Sequence, residues 1–556
     1  MSERVEDDDT SMMTIPGGRY AMVPTGHAMI PDGLGNWIRR RAVKSRDFPA
    51  IEFRDQTLTY AELSRRIDSL AAALVSRGIS RGDRVAYLGG NHPSFIEAMF
   101  ATTLLGAIFV PLNTRLAIPE LEFQLDDSGA TMLISTAELE HLAAASSTGL
   151  DIRRLVVSDP SVEGQEGRPR WVEDYDEAIR DAGELRIAEP MEYPPRVEGI
   201  DTTPVTMDDP AVILYTSGTT GHPKGAVLTH GNLTWNALCV IVDYDVVSDS
   251  RWILISPLFH VASLGMGLLP TLLKGATLLL QERFVPAEAL EAIERLRATH
   301  ISGVPTTYQM MMEDPRWAES DISTLRTLTC GGSPVPRKVI DAYAERGLAF
   351  SGGYGMTEAA PGVAMIPPWE AEAKVGSSGA QMFFVRFRIR AIETGEIVGA
   401  GEVGEIETTG PNITPGYWNR PDASDDAFTE DGWFKTGDIG VADEDGFLTI
   451  VDRAKDMIIS GGENVYSAEV EQAIAAIPAV AGVAVIGVPD DRWGEVPHAI
   501  VTLMPGAELT AAEMVDFLTN RLARYKIPKT LEIVAELPRT ASGKVQKHQL
   551  RLARVQ

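Results

Sequence analysis

The residues of this chain best suited to chemistry lie between Tyr215 and Gly225, in the order Tyr-Thr-Ser-Gly-Thr-Thr-Gly-His-Pro-Lys-Gly. Gly218, Gly221 and Gly225 let backbone N–H groups come close to a ligand. Thr216, Ser217, Thr219 and Thr220 add hydroxyl donors, and Lys224 adds a positive charge. Such a set suits a loop wrapped around an oligophosphate, because N–H and O–H donors meet phosphate oxygens while the ammonium offsets their charge. The competing reading is a surface turn, the ordinary fate of Ser/Thr/Gly clusters. A Walker loop is excluded: its lysine is followed by Ser or Thr and runs into a helix, whereas Gly225 and an apolar run follow Lys224. No Gly-x-Gly-x-x-Gly dinucleotide fingerprint is present in this loop.

Further clusters have weaker meaning alone. Tyr354-Gly355-Met356-Thr357-Glu358 offers an aromatic face, a hydroxyl and a carboxylate, as many sheet turns do. Asp438, closing Trp433-Phe434-Lys435-Thr436-Gly437-Asp438, is a two-oxygen acceptor or a turn residue. Asp452-Arg453-Ala454-Lys455-Asp456 reads as a solvated charged turn, and hinges are made of such turns. The glycines of Ser460-Gly461-Gly462-Glu463 leave room for a slender ligand beside the backbone. Lys544, in a Ser/Gly turn near the C-terminus, reads as a surface lysine. His260, after Pro257-Leu258-Phe259, reads as a packed core histidine.

These residues need elements to hold them. Apolar runs at Ala211–Leu214 and Ala226–Leu228 predict strands on either side of the glycine loop. Thr59-Tyr60-Ala61-Glu62 is a capping box, opening a helix whose Leu63, Ile67, Leu70 and Leu74 share one face and which Gly78 stops. Strand Arg84–Leu88, helix Pro93–Leu105 and strand Ile108–Leu112 follow at short spacing, the order of parallel sheets with outer helices. Residues 158–209 read as a variable surface segment. A helix is expected over Gly231–Val240, a strand over Arg251–Ser256, and short β pieces over 376–450. Beyond residue 452 the pattern is α+β: a helix from Ser467 as N-cap through Ile474, strands at Val483–Val488, His498–Met504 and Leu531–Val534, a capping box at Thr510–Glu513 opening a helix to Ala523, and a basic final helix.

Length and composition agree with more than one domain. The chain has 556 residues, 44% hydrophobic and 23% charged, too long for one core. Fifty basic against 78 acidic residues give a net charge of −28, which disfavours nucleic acid and anionic membrane and requires any phosphate site to be locally basic. Two cysteines, Cys239 and Cys330, lack metal-ligand spacing and point to a reducing compartment. The first residues read as a flexible acidic tail rather than a signal peptide. The apolar run Val261–Leu273 is shorter than the roughly 20 residues of a spanning helix.

The glycine loop fits [Ser/Thr]-Ser-Gly-Thr-Thr-Gly-x-Pro-Lys-Gly without departure, and in this it resembles the adenylate-forming superfamily of acyl-CoA synthetases, amino-acid adenylation domains and luciferases. The resemblance runs from about residue 30 to the end. It implies an α/β fold: a large N-terminal domain of parallel-rich sheets flanked by helices, with a small β-subdomain, followed by a small mobile α+β C-terminal domain. Its expected divisions are a tail at 1–20, the large domain at 21–452 with the β-subdomain near 376–450, a hinge at 452–456 and a lid at 453–556.

The resemblance also assigns roles. Thr216, Ser217, Gly218, Thr219, Thr220, Gly221 and Lys224 would hold the pyrophosphate side of ATP. Gly332, Ser333, Tyr354 and Gly355 would border the adenine, Thr357 would bond the α-phosphate, and Glu358 would bind Mg²⁺. Asp438 and Arg453 would take the ribose. Lys544 would enter for adenylate formation, Lys455 would be the pivot, and Ser460, Gly461, Gly462 and Glu463 would flank pantetheine. Position 467 is usually proline in the family, and serine there is expected to keep the helix start.

The reaction implied is activation of a carboxylic acid through acyl-AMP, with pyrophosphate released, then transfer to the thiol of CoA. ATP, Mg²⁺ and CoA are the expected cofactors and co-substrates. His260 matches the acyl-pocket aromatic or histidine, and Val304, Thr307, Tyr308 and Met310–Met312 are candidate pocket walls. The segment 257–267 has no aspartate for a substrate amine, which disfavours an α-amino acid. A fatty or other apolar acid comes first, an aryl acid second; an amide-forming ligase and a non-catalytic nucleotide or acyl binder are the remaining readings. The location expected is cytoplasmic, with no nucleic-acid partner, no integral membrane segment, and an oligomeric state left open, a homodimer included.

Overall fold

Alternating apolar strands and amphipathic helices build two large sheets. The computed structural model describes residues 33–158, 172–182, 204–216, 223–331, 335–460, 463–490, 493–519, 521–539 and 545–554, with a short strand pair at 14–15 and 18–19. The tail expected at 1–20 therefore lies outside the described residues apart from that pair.

The first sheet has eight strands in the spatial order Gly416–Tyr417, Lys224–Thr229, Pro210–Thr216, Ile108–Pro111, Arg84–Leu88, Met132–Thr136, Arg153–Val157, Val172–Asp174. From Ile108–Pro111 to Val172–Asp174 every pairing is parallel. The helices between these strands supply the crossovers that parallel neighbours need. Pro210–Thr216 adds parallel to Ile108–Pro111, and Lys224–Thr229 turns back antiparallel against it. The glycine loop is the connection of that hairpin.

The second sheet has nine strands, in the order Ala380–Gln381, Gly362–Met365, Phe350–Gly355, Thr327–Gly331, His300–Gly303, Arg251–Leu254, Thr277–Leu280, Pro49–Phe53, Gln56–Thr59. Strands such as Thr277–Leu280 are buried at every residue, as expected of a parallel sheet covered on both faces. The helix Tyr60–Ser76 opens with the expected capping box, Glu62 N–H donating to Thr59 Oγ1 at 3.2 Å and Thr59 N–H to Glu62 Oε2 at 2.8 Å. Its Leu63, Ile67, Leu70 and Leu74 are fully buried, and Gly78 at φ +88° reverses the chain after it.

A five-stranded sheet follows, in the order Ile397–Val398, Arg386–Arg390, Val403–Thr409, Phe434–Ala442, Leu448–Arg453. Glu407 is buried in it between Arg388 at 2.5 Å and Arg390 at 2.6 Å. The last sheet is built on the hairpin Val480–Asp490 and Gly494–Leu503, with Thr530–Ile533 parallel at its side. Helices Ser467–Ala475 and Ala511–Thr519 pack there, burying Val470, Ile474, Val485, Met514 and Leu518 in one core. The described residues fall into two compact units, residues 1–386 with 409–434, and residues 387–408 with 435–556.

Three expectations change. Ser467 is the first residue of its helix rather than its N-cap, which is Tyr466. The Ser467 hydroxyl instead bonds the Asp452 carboxylate, which also accepts the Ser467 and Ala468 N–H groups. A charged acceptor from a neighbouring strand end thus does the capping. The segment 158–209 is partly core: Tyr175 is fully buried and donates to Glu97 at 2.7 Å, and Asp209 is buried against Arg81 at 2.6 Å. The helix from Ala511 ends at Thr519 rather than near Ala523. Among the described residues no helix is long and apolar enough to cross a membrane. Cys239 and Cys330 are both buried and free.

Candidate active site

The two ends of the glycine loop are held by strand pairing. Thr216 and Lys224 face each other across the hairpin, and Tyr215 faces Gly225. The Thr216 hydroxyl donates to the Lys224 carbonyl at 3.4 Å. Gly225 has no room for a side chain: a Cβ would stand 2.7 Å from Ile213 and 3.3 Å from the Tyr215 ring. Tyr215 is anchored through its hydroxyl to Asp127 at 2.8 Å. Ser217, Gly218, Thr219, Thr220 and Gly221 lie outside the described residues.

Glu358 sits in the short turn Thr357–Ala359 that follows strand Phe350–Gly355. Gly355 is obligatory there, because a Cβ would collide with the Pro361 carbonyl oxygen. Residues 411–418 bind this turn on both its backbone and its side chain. Asn412 donates to the Ala359 and Gly362 carbonyls at 2.6 and 2.7 Å. Thr414 N–H donates to the Glu358 carbonyl at 2.7 Å, and the Tyr417 hydroxyl donates to Glu358 Oε1 at 2.8 Å. The same segment is sewn onto the glycine hairpin: Ala226 and Val227 pair with Tyr417 and Gly416, and Trp418 N–H donates to the Gly225 carbonyl at 2.7 Å. Lys224 Nζ lies 5.2 Å from the centre of the Tyr417 ring. Burial, reinforced by the Glu358 carboxylate, pushes the Tyr417 phenol far above its ordinary range, so it remains a donor. A cavity of about 820 Å³ opens beside Lys224 and Tyr417, with Phe123, Asn419, Arg420 and Asp426 among its walls.

Asn236, fully buried, links the Glu358 turn to the His260 segment. It donates to the Gly265 carbonyl at 2.8 Å and accepts the Gly362 N–H at 3.0 Å. Gly265 lies in a π-helical turn, Ser263–Leu268, where a Cβ would strike the Ala360 carbonyl oxygen. His260 is half-buried, its ring 4.7 Å from that of Phe259. Nearby strand ends are bare: Gly331 faces Gly353 in register, and Cys330 faces both Gly303 and Gly352. A Cβ on Gly331 would meet only the Gly353 carbonyl oxygen, at 3.6 Å. Tyr308 and Met311, expected as pocket walls, are fully buried in the core with Tyr343 and Phe350, and Met310 is exposed. Tyr354 and Thr357 are half-buried; Gly332 and Ser333 lie outside the described residues.

In the second unit, Asp438 and Arg453 are register partners on adjacent strands, and Arg453 Nε meets Asp438 Oδ1 at 3.1 Å. The two groups expected to share a ribose thus hold each other. Asp438 is buried and Arg453 half-exposed, so the pair is worth little as stability and leaves the guanidinium accessible. Lys455 follows, its ammonium held below the usual lysine range by desolvation and by Arg453. Ser460 is buried, and pairs across its hairpin with Glu463. Gly461, Gly462 and Lys544 lie outside the described residues.

Sequence reasoning passed over Tyr417, Asn412 and Asn236. The Thr414-Pro415-Gly416-Tyr417-Trp418 stretch reads only as part of the short β pieces expected over 376–450, and its role needs a contact with Glu358 that no local pattern encodes. Among the described residues no cluster of three or more His, Cys, Asp or Glu side chains is placed to hold a metal, so Glu358 would need phosphate oxygens and water to complete a shell. That is how Mg²⁺ is ordinarily held at nucleotide sites, and a half-buried carboxylate with one oxygen fixed by Tyr417 fits it.

The model of the AMP-binding enzyme family matches residues 38–418, and that of the AMP-binding enzyme C-terminal domain matches residues 469–544. A feruloyl-CoA synthase of Amycolatopsis sp. is 48% identical over 519 residues, 93% of this chain and 98% of the relative. A long-chain-fatty-acid–CoA ligase of Mycobacterium tuberculosis is 37% identical over 93% of this chain and 98% of its own. The solved o-succinylbenzoate CoA synthetase of Bacillus subtilis in complex with ATP and magnesium ion has a TM-score of 0.78 and 34% identity, covering 93% of this chain and 99% of that one.

Proposed function

The chain belongs to the AMP-binding enzyme family and is an AMP-forming acid–CoA ligase, and from that premise we propose that its acid is an aryl acid, with arylpropenoates such as ferulate foremost. The observation that carries this is the 48% identity to a feruloyl-CoA synthase, against 37% to a long-chain ligase, at equal coverage of both. It favours the opposite order from the sequence and its family resemblance, which put a fatty or other apolar acid first and an aryl acid second. The bare strand end at Gly331, which faces Gly353 in register, supports the aryl acid. A slot walled by backbone accepts a flat ring, whereas a flexible chain gains more from apolar side chains around it.

In the first half-reaction a carboxylate oxygen attacks the α-phosphorus of ATP and the bond to the bridging oxygen of pyrophosphate breaks. Two anionic groups must approach, so the barrier falls where positive charge and hydrogen-bond donors are already placed. Lys224 and the loop from Thr216 to Gly221 would take the leaving pyrophosphate. Thr357 would bond the α-phosphate, Tyr354 would face the adenine, and Glu358 would hold Mg²⁺. Bound there, the ion neutralises phosphate oxygens. Asp438 and Arg453 would orient the ribose, and Lys544 would bridge carboxylate and phosphate. In the second half-reaction the sulfur of CoA attacks the acyl carbonyl, the bond to AMP breaks, and the thiol proton passes to solvent. Ser460 to Glu463 would flank the pantetheine, with Lys455 as the pivot and the domain boundary near 452–456 as part of the same reading. A cytoplasmic location belongs to this reading too.

ATP–pyrophosphate exchange measured across a panel of aryl, arylpropenoic and fatty acids tests the proposal. Exchange should depend on added acid and be fastest with arylpropenoates. Exchange driven only by fatty acids would overturn the choice of acid.

A further inference from the structure

We propose that Tyr417 is a positioning residue that locks Glu358 to the lysine end of the glycine loop, so that the metal-binding carboxylate and the pyrophosphate-binding ammonium meet ATP as one preset unit. This inference rests on the reading of Glu358 and Lys224 given above.

The geometry comes from one segment making two sets of bonds. Residues 411–418 hold the Glu358 turn through Asn412, Thr414 and the Tyr417 hydroxyl, the last at 2.8 Å from Glu358 Oε1. They hold the glycine hairpin through pairing of Tyr417 with Ala226 and the bond from Trp418 N–H to the Gly225 carbonyl. Thr414 reinforces the joint by donating to the Val227 carbonyl at 2.6 Å. Asn232, the first-turn residue of the helix after the hairpin, donates to the Pro411 and Ile413 carbonyls at 2.9 and 2.7 Å. Tyr417 thus starts from a fixed backbone, and its side chain carries two different groups to two partners. The ring face lies 5.2 Å from Lys224 Nζ, an attraction between a cation and a π face. The hydroxyl occupies one carboxylate oxygen, leaving the other free to bind a cation.

A tyrosine does what phenylalanine or leucine cannot. Phenylalanine retains the ring over Lys224 and loses the grip on Glu358; leucine loses both. The two functions are therefore separable by substitution.

The test is equilibrium ATP binding by calorimetry, without acid or CoA, once with Mg²⁺ and once with EDTA. Tyr417→Phe should weaken binding of Mg-ATP about tenfold, the size expected of one hydrogen bond to a charged group, and change metal-free ATP binding less than about twofold. In a Glu358→Gln background the added Tyr417→Phe should change Mg-ATP binding less than about twofold. Tyr417→Leu should weaken metal-free ATP as well, because Lys224 loses its rest. Equal weakening of both ATP forms by Tyr417→Phe, no weakening, or undiminished loss in the Glu358→Gln background would overturn the proposal. A wild-type protein whose ATP binding ignored Mg²⁺ would instead sink the role given to Glu358, so the two failures are told apart.

Discussion

At the scale of single residues, the proposed roles divide between groups that would serve one half-reaction and groups that would serve the other. Lys544→Ala should cut adenylate formation by about a hundredfold or more, the usual cost of removing a charged transition-state contact, while thioester formation from synthetic acyl adenylate stays near wild type. Lys455→Pro should show the mirror image. Equal losses in both steps, read by pyrophosphate release and by thioester yield, would contradict this division. The residues proposed for the site were read from short local strings: the glycine loop, Tyr354 to Glu358, Asp438, Lys544. Asp438 and Arg453, named separately, prove to be register partners. Tyr417 and Asn236 were not legible. Each acts through a partner far away in the chain, Glu358 in one case and Gly265 and Gly362 in the other.

At the scale of elements, local signals fared well where the governing contact was local. The Thr59–Glu62 box and the strands at 84–88 and 108–111 follow directly from capping and hydrophobic period. They fared worse where a distant charge intervened. Ser467 looked like a cap, but the helix Ser467–Ala475 is capped by Asp452, and Lys547 donates to the Ser467 hydroxyl at 2.7 Å. Lys547 also pairs with Glu471 at 2.7 Å, and Arg551 with Asp456 at 2.6 Å. The final helix is therefore tied to the 452–456 turn by charge. Asp452→Ala should destabilise by about 2 kcal/mol, since it removes a cap and leaves buried donors unpaired. Thermal melts of this variant against Ser467→Ala check it, and the larger loss should belong to Asp452→Ala. The reverse order would mean that the serine hydroxyl, not the carboxylate, holds the helix.

At the scale of the whole molecule, two buried histidines make stability depend on pH. Burial lowers the pKa of both His230 and His300 to about 4. The unfolded chain then binds more protons than the folded one below the ordinary histidine value. Their contribution is complete above about pH 6.5 and is lost as pH falls toward 4, at about 1.4 kcal/mol per pH unit for each. Asp243, raised to about 6 by burial, has the opposite sign. His230→Asn retains an acceptor for the Leu34 N–H, which His230 Nδ1 accepts at 3.0 Å, and removes the titration. Its melting temperature should fall less steeply than wild type between pH 6.5 and 4. An unchanged slope would mean that His230 does not titrate in that window.

The central claim is an AMP-forming CoA ligase acting on an aryl acid, and the most direct measurement is kcat/KM for CoA-thioester formation with ferulate and with a long-chain fatty acid, ATP and CoA saturating. Ferulate should be favoured by about a hundredfold or more, the scale on which a shaped pocket separates unlike ligands. Equal values, or a preference for the fatty acid, would contradict it.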